Sequence, residues 1–306
     1  MNDYIIHQMK AKERMLSMEF KSNIKEFDEL KKKMSTISQG SYAYEKLAHY
    51  IEKNYKHIIF MTASQVAAEA DVSQGSVSRF CSALGYKGYN DFLHNLQQFM
   101  REEITAPQRL EYTSHSKDLS NILNMEHSNI DELHNILNTP SYQKLVDKIV
   151  SSKEIVILSS RMSATLLPYT AYMLNKIRNN VEVITSESPF WNTLELRNSK
   201  NTFIFTVMFP RYPNELIDKL KALKKEGFYI AAITDSIISP VTDIAENVIT
   251  VPITTSSIFD IYSTPMLFIN LLLRDAANCM KGLDKRLDKL ERIEKENNTY
   301  YRGIIK

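Results

Sequence analysis

Glycine is scarce in this chain, with seven among 306 residues. Loops that wrap a phosphate in backbone N–H groups are normally glycine-rich, so any such cradle here must be built from other residues. Cysteine is scarcer still. Cys81 and Cys279 stand far apart in helical patterns, which excludes a disulfide framework and reads as two buried structural thiols in a reducing compartment. No apolar run approaches the roughly 20 residues of a bilayer span. The opening "MNDYIIHQMKAKERMLSMEF" has no uninterrupted apolar centre and so no secretory signal, and the expectation is a cytoplasmic protein with no membrane contact. The seven histidines show no paired spacing, so no metal is expected and no cofactor. A net charge of +2 excludes polyanion binding by the whole surface; any nucleic-acid contact must be a local patch.

What is present suits two domains. The chain is 43% hydrophobic and 24% charged, long enough for each half to bury its own core. The first third lacks strand signals: "KEFDELKKKM", "SYAYEKLAHYIEKNYKHI", "TASQVAAEA", "QGSVSRFCSAL" and "YNDFLHNLQQFMREE" each space apolar residues three and four apart. From residue 154 short apolar runs, "EIVILSS", "VEVIT", "NTFIFTVMF", "FYIAAIT" and "NVITVPI", alternate with helical stretches such as "PNELIDKLKALKKEG". That alternation predicts a five-stranded parallel sheet flanked by helices. Between the textures "ITAPQRLEYTSHSKD" carries a proline and polar residues and reads as a linker, 105–118. The α/β part then spans 119–283. The end, 284–306, is a charged helix with Leu283, Leu287 and Leu290 on one stripe, suited to packing or dimer contact.

Within the helical part, "TASQVAAEADVSQGSVSRFCSALGYKGYNDF" places two short helical patterns against a polar joint. Thr62 caps a helix through Val66, Ala67 and Ala70, Asp71 and Val72 form a turn, and Ser73 caps a helix through Val77, Phe80 and Leu84. Small residues at Ala67 and Ala68 allow close approach. This is a helix-turn-helix over about 62–84, and residues 1–104 read as an all-α DNA-binding domain with an N-terminal extension, 1–20. The second helix presents Gln74, Gly75, Ser76, Ser78 and Arg79 outward. Gln pairs with adenine, Arg with guanine or phosphate, Ser with either, and Gly75 admits close approach. Lys87 follows as a phosphate partner, and Thr62 and Ser73 at the two helix starts are further candidate DNA contacts. The competing reading is a pair of core helices with solvated polar residues.

"VSQGSVSRFCSALGYKGYNDF" closely resembles the helix-turn-helix signature of the RpiR family of bacterial transcription regulators. The resemblance extends beyond the first 20 residues to nearly the whole chain, since that family joins such a domain to a sugar isomerase (SIS) domain. It implies binding of double-stranded, inverted-repeat operator DNA by a homodimer or tetramer. It also implies a small effector, often a phosphosugar, held in the SIS domain.

Ligands bind open α/β sheets at the carboxyl ends of strands. After the first strand comes "SSRMSA" and after the third "TVMFPRYPNE", both departing from the glycine-bearing loops usual in the family, although "FPRY" resembles a recognised variant. Arg161 and Arg211 are positioned to clamp one anion. Ser160 and Ser163 are donors in the first loop, and Thr206, Tyr212 and Asn214 lie along the second, where Pro213 opens a helix. The alternative is that the arginines pair with acidic residues such as Glu187 or Glu195 and only brace the fold. Asp235, with Ser236, ends the fourth strand within reach of a ligand hydroxyl or as a helix cap; Ser256, Ser257 and Asp260 are further candidates. Phe190 and Trp191 read as core.

Three functions fit. A ligand-responsive transcription regulator explains both halves. A sugar-phosphate isomerase needs a general base over the loops with a second proton-transferring group, and no convincing pair appears. A non-catalytic sugar-phosphate-binding scaffold leaves Arg79 without a role.

Overall fold

The computed structural model describes residues 28–100, 105–114, 119–237, 239–255 and 258–301. The N-terminal extension 1–20 and the candidates Ser256 and Ser257 lie outside them. The chain divides into two compact units, with the boundary between Ile122 and Leu123 and residues 255–259 assigned to the first. Among the described residues no helix is long and apolar enough to cross a membrane.

The first unit is helical: α1 (28–38), α2 (Tyr42–Ile58), α3 (Ala63–Glu69), α4 (Gln74–Ala83), α5 (Tyr89–Met100) and α6 (Ala106–Ser114). Its core gathers the apolar stripes of the first five helices: Leu30, Met34, Leu47, Ile51, Val66, Ala67, Val77, Phe80, Cys81, Phe92, Leu93 and Leu96 are buried. Aromatic rings lock the helices edge to face, Tyr44 on Phe80 with centroids 5.3 Å apart and Tyr86 on Phe92 at 5.4 Å. Buried polar atoms serve the backbone. Tyr89 donates from its hydroxyl to the Met61 carbonyl at 2.9 Å, and Gln97 donates to the Ile59 carbonyl at 2.8 Å, occupying carbonyls beyond the end of α2 that would otherwise lack a partner. The segment expected as a linker contains α6; Pro107 sits in its first turn, where a missing N–H costs the helix no hydrogen bond.

The second unit begins within α7 (Ser120–Leu137), continues with α8 (Pro140–Ser151), then alternates. Its strands are β1 (Glu154–Ser159), β2 (Val181–Thr185), β3 (Thr202–Met208), β4 (Tyr229–Thr234) and β5 (Asn247–Thr250). Interleaved are α9 (Leu167–Ile177) and α10 (Asn214–Lys225); a short ribbon, β6 (Thr254–Thr255) with β7 (Asp260–Ile261), leads to α11 (Ser263–Cys279) and α12 (Leu283–Glu296). The five strands pair in parallel in the order β2-β1-β3-β4-β5, as the alternation predicted. Side-chain alternation sends Ile155, Ile157, Phe203, Phe205 and Val207 to the face covered by α8, α9 and α11. Val156, Leu158, Ile204 and Met208 face α10. All seven residues of β3 are buried, because a parallel strand covered on both sides has no solvent face.

Arginines close the ends of two helices. Arg178 donates to the carbonyl of Ile149 in the last turn of α8 and to those of Ser152 and Lys153 just beyond it. Arg286 on α12 donates to those of Lys176, Asn175 and Arg178 and to the Asn179 side chain, satisfying acceptors a helix C-terminus leaves open. No residue of α12 is fully buried; of its leucine stripe, Leu283 and Leu290 are half-buried and Leu287 is exposed.

Two expectations need correction. Cys279 is exposed, since it falls at the last position of α11, past the face that Phe268, Leu272 and Ala276 bury. Phe190 is exposed, and only Trp191 packs against the α10-side core. Cys81 is wholly buried and burial pushes its thiol up to about 12, far from the thiolate form that reacts. A thiol reagent at neutral pH should therefore label one cysteine of the native protein quickly and the second only on unfolding. Cys279→Ser should abolish the fast phase; rapid double labelling of native protein would contradict the buried position of Cys81.

Candidate nucleic-acid interface and ligand crevice

Local hydrogen bonds build the helix-turn-helix. Thr62 accepts from the Gln65 amide at 3.0 Å while Gln65 Oε1 accepts from the Thr62 amide at 2.7 Å, a reciprocal capping box. α3 ends with the Val72 amide donating to Ala67 O at 2.9 Å and the Asp71 amide to Ala68 O at 3.2 Å, the bond pair of a Schellman stop. The residue between must be left-handed, and Asp71 is, with φ 52°, a conformation Asp tolerates better than most residues. Its carboxylate receives Lys46 Nζ at 2.5 Å. That hydrogen bond, with the charge behind it, raises the Lys46 pKa and lowers that of Asp71, tying α2 to the turn. α4 repeats the pattern. Ser73 accepts from the Ser76 amide at 3.2 Å, and the stop uses Gly85 at φ 101°, with Tyr86 N donating to Cys81 O at 3.1 Å.

With Val77, Phe80 and Cys81 turned inward, Ser73, Gln74, Gly75, Ser78 and Arg79 are exposed. Arg79 lies back along the helix, Nη2 donating to Ser76 Oγ at 3.4 Å, and a Cβ on Gly75 would meet its Nη1 at 3.5 Å, an ordinary contact. Neither backbone strain nor crowding within the fold demands glycine at 75. Lys87 is exposed, its amide donating to Asp91 Oδ2 at 2.9 Å to start α5 while its side chain points free of that bond. Two expected contributors hold other roles: the Thr62 hydroxyl is spent on capping, and Ala68 is exposed rather than packed.

The second candidate lies where β1 and β3, neighbours in the sheet, send their following segments to opposite faces. Such a switch point opens a crevice at the strands' carboxyl ends. After β1 the chain makes a 3-10 turn, Arg161–Leu166; after β3 it runs through Phe209–Pro213 into α10. Arg161 has φ 54° and Arg211 φ 63°. The other non-glycine residues with positive φ among the described ones are Asp71, Asn180 and Asn298, residue types that adopt it with little cost. Arginine has no such excuse, and each left-handed arginine costs about 1–2 kcal/mol.

The two loops are stitched together by Phe209 N–H donating to Ser163 Oγ at 3.0 Å, with both residues buried. Ser160, 1% exposed, has a hydroxyl with no hydrogen-bond partner. Thr206 is turned into the sheet and donates to Leu158 O at 2.8 Å, so its hydroxyl is occupied there. Tyr212 donates to Asp235 Oδ1 at 2.8 Å, and Asp235 is buried. Asn214 is exposed at the first position of α10. Ser236 is buried and Asp260 half-buried in β7.

Arg161 does lie against an acid, as the bracing alternative has it, but the acid is neither of the two named from the sequence. Glu195 receives Lys219 at 2.6 Å. Glu187 is held below the ordinary carboxylate range by its own backbone N–H first, then by the Thr185 and Ser186 hydroxyls, with Arg161 the least of the favourable causes. Arg161 Nε instead lies 3.3 Å from Glu215 Oε1 in the first turn of α10, an ion-pair distance without hydrogen-bond alignment, because that oxygen is buried and unpartnered. Arg211 is exposed and makes no hydrogen bond or ion pair with described residues. Glu215 was not singled out from the sequence; the available signal was an acid opening a helix directly after a basic loop.

Compared with known families, residues 28–103 match the helix-turn-helix domain of the rpiR family and residues 148–274 match the SIS domain. Fold and sites thus define a helix-turn-helix unit joined to a sugar isomerase-type unit. The chain belongs to the RpiR family of regulators. It is 25% identical over 147 residues to an uncharacterized HTH-type transcriptional regulator in the aarA 3' region of Providencia stuartii, covering 47% of this chain and 52% of that one; the chain spans about half the length of this relative. Among solved structures it resembles the sugar isomerase domain of an RpiR transcription factor from Sphaerobacter thermophilus, at 19% identity and TM-score 0.50 over 56% of this chain and 97% of that one. The Vibrio vulnificus NanR protein complexed with ManNAc-6P matches at 18% identity and TM-score 0.49 over 88% and 98%. At these identities the likeness is one of fold.

The two loop serines should respond oppositely to truncation. Ser163→Ala strands the buried Phe209 N–H and should cost about 1–3 kcal/mol in urea unfolding, whereas Ser160→Ala removes an unpartnered hydroxyl and should be neutral or stabilising. Equal losses for both would show that Ser160 has a partner in solution.

Proposed function

We propose that the protein is a ligand-responsive bacterial transcription regulator that binds operator DNA through α4 and senses a small anionic sugar derivative, a phosphosugar or sugar acid, in the crevice between the β1 and β3 loops. The observation that carries it is the outward face of α4: a capped helix whose first two turns offer Gln74, Gly75, Ser78 and Arg79 to the outside. Rigid presentation of base-reading side chains at a helix N-terminus is what a major groove requires. Lys87 supplies charge beside it. The glycine at 75 costs the helix stability relative to alanine, which makes sense if the groove wall needs the space. Two copies, as a homodimer or tetramer, would match an inverted repeat, in the cytoplasm where the DNA is.

An enzymatic reading is less well supported. A general base must face the proton it abstracts, yet Glu215 faces Arg161 and Asp235 receives the Tyr212 hydroxyl. The protein is accordingly read as a regulator and not an isomerase.

Arg79→Ala should remove about 1–3 kcal/mol of specific operator affinity, measured against competitor DNA across a salt series, with the thermal unfolding of the sheet unit unchanged. Gly75→Ala should raise the stability of the helical unit by up to about 1 kcal/mol while weakening DNA binding. Full affinity in both variants would remove α4 as the reading helix. Arg211→Ala should leave ligand-free DNA binding intact and abolish the response to the effector, since the two units have separate cores; lost DNA binding would contradict that separation.

A further inference from the structure

The Arg161–Glu215 pair occupies the place where a bound anion would neutralise the crevice. Glu215 sits in the first turn of α10, where a helix N-terminus favours negative charge, and its Oε1 lies 3.3 Å from Arg161 Nε. The backbone offers no substitute cradle: both loops lack glycine, and the Phe209 N–H is committed to Ser163. Around the crevice stand Arg161 and Arg211 on one side of the charge balance and Glu215, Asp235 and Glu187 on the other. Asp235 is held by Tyr212 and Glu187 by its own backbone and neighbouring hydroxyls, which leaves Glu215 as the carboxylate that shares a cation with an incoming ligand.

Resting on the crevice reading above, we infer that Glu215 is the specificity-determining residue of this site, a resident carboxylate that rejects doubly charged anions and favours a ligand with a single carboxylate, such as a sugar acid. A phosphate dianion approaching Arg161 meets Glu215 as a like charge; with the two side chains 74% and 37% exposed water screens the repulsion, but a double charge still feels it twice as strongly as a single one. A monocarboxylate carries half that charge and feels half that repulsion. The guanidinium of Arg211, exposed and unpaired, is a planar fork that matches one carboxylate in two parallel hydrogen bonds, and its left-handed backbone fixes where that fork starts. In the β1 loop, Ser160 is buried with an unused hydroxyl and so has hydrogen-bonding capacity to spare.

The test is isothermal titration of the full-length protein, wild type and Glu215→Gln, with inorganic phosphate, sulfate and acetate at constant ionic strength. Glutamine keeps the shape and removes the charge. Glu215→Gln should bind phosphate and sulfate about tenfold or more tightly than wild type, while acetate affinity changes less than about threefold. Adding Arg161→Gln should reverse the gain, and circular dichroism of each variant checks that the fold is kept. Equal or weaker dianion binding by Glu215→Gln, with wild type binding phosphate, overturns the role of Glu215 and leaves the crevice as an anion site. Absence of binding of every anion to both proteins overturns the crevice reading and this inference together. Equal tightening for acetate would show general electrostatics and overturn the selectivity.

Discussion

Every strand of the main sheet runs in the same direction, and much of the second unit follows from that constraint. Parallel neighbours cannot be joined by tight turns, so each strand must be followed by a crossover that packs on one face. Both faces become covered, β3 loses all contact with solvent, and its sequence "TFIFTVM" is apolar on both alternations except for Thr202 and Thr206, which bond to neighbouring Glu154 and Leu158. The same direction collects all the carboxyl ends along one edge. Because β1 crosses to β2 on one side while β3 crosses to β4 on the other, the two loops part and a crevice opens between them without any residue being chosen for that purpose.

What the residues add is strain and pairing. Both loops turn through a left-handed residue at comparable places, and both use arginine where glycine would be free of cost. A sequence selected for stability alone would put glycine there. Each arginine therefore gives up stability and starts its side chain from a fixed backbone direction, the kind of local strain that supports reading the crevice as a candidate site. The Phe209–Ser163 hydrogen bond supplies the rigidity that holds such strain in place, since it joins the two loops through buried atoms.

The architecture was legible because its signals are local and periodic. Runs such as "EIVILSS" and "FYIAAIT" bounded by polar residues mark buried strands, and Thr62 and Ser73 mark helix starts by a mechanism that operates within three residues. Asp71 marked the turn for the same reason. Pro107 misled, because proline breaks a helix interior but fits a first turn, and sequence alone does not say which of the two it occupies. Cys279 misled because helical spacing shows that a stripe exists and not where its cover ends. The Arg161–Glu215 pair was out of reach for a different reason: its members follow different strands, one in the turn after β1 and one in the first turn of α10, brought together only by the β1–β3 register, while the nearer-seeming Glu195 is claimed by Lys219.

The two candidate surfaces have opposite electrostatic preparation, and this bears on how each would act. On α4 the cationic and amide groups are exposed and nearly uncommitted; Arg79 holds only a long contact to Ser76. Binding a polyanion there displaces counterions rather than protein partners, so affinity should scale steeply with salt and form quickly. In the crevice Arg161 already has a counter-charge. A ligand gains only the difference between its own pairing and the one it replaces, which keeps affinity moderate and makes discrimination depend on the ligand's charge. On the proposed reading, a surface open to its partner and a crevice that must exchange partners suit a regulator, because the first is ready for a polyanion and the second exchanges only for a ligand that outcompetes Glu215.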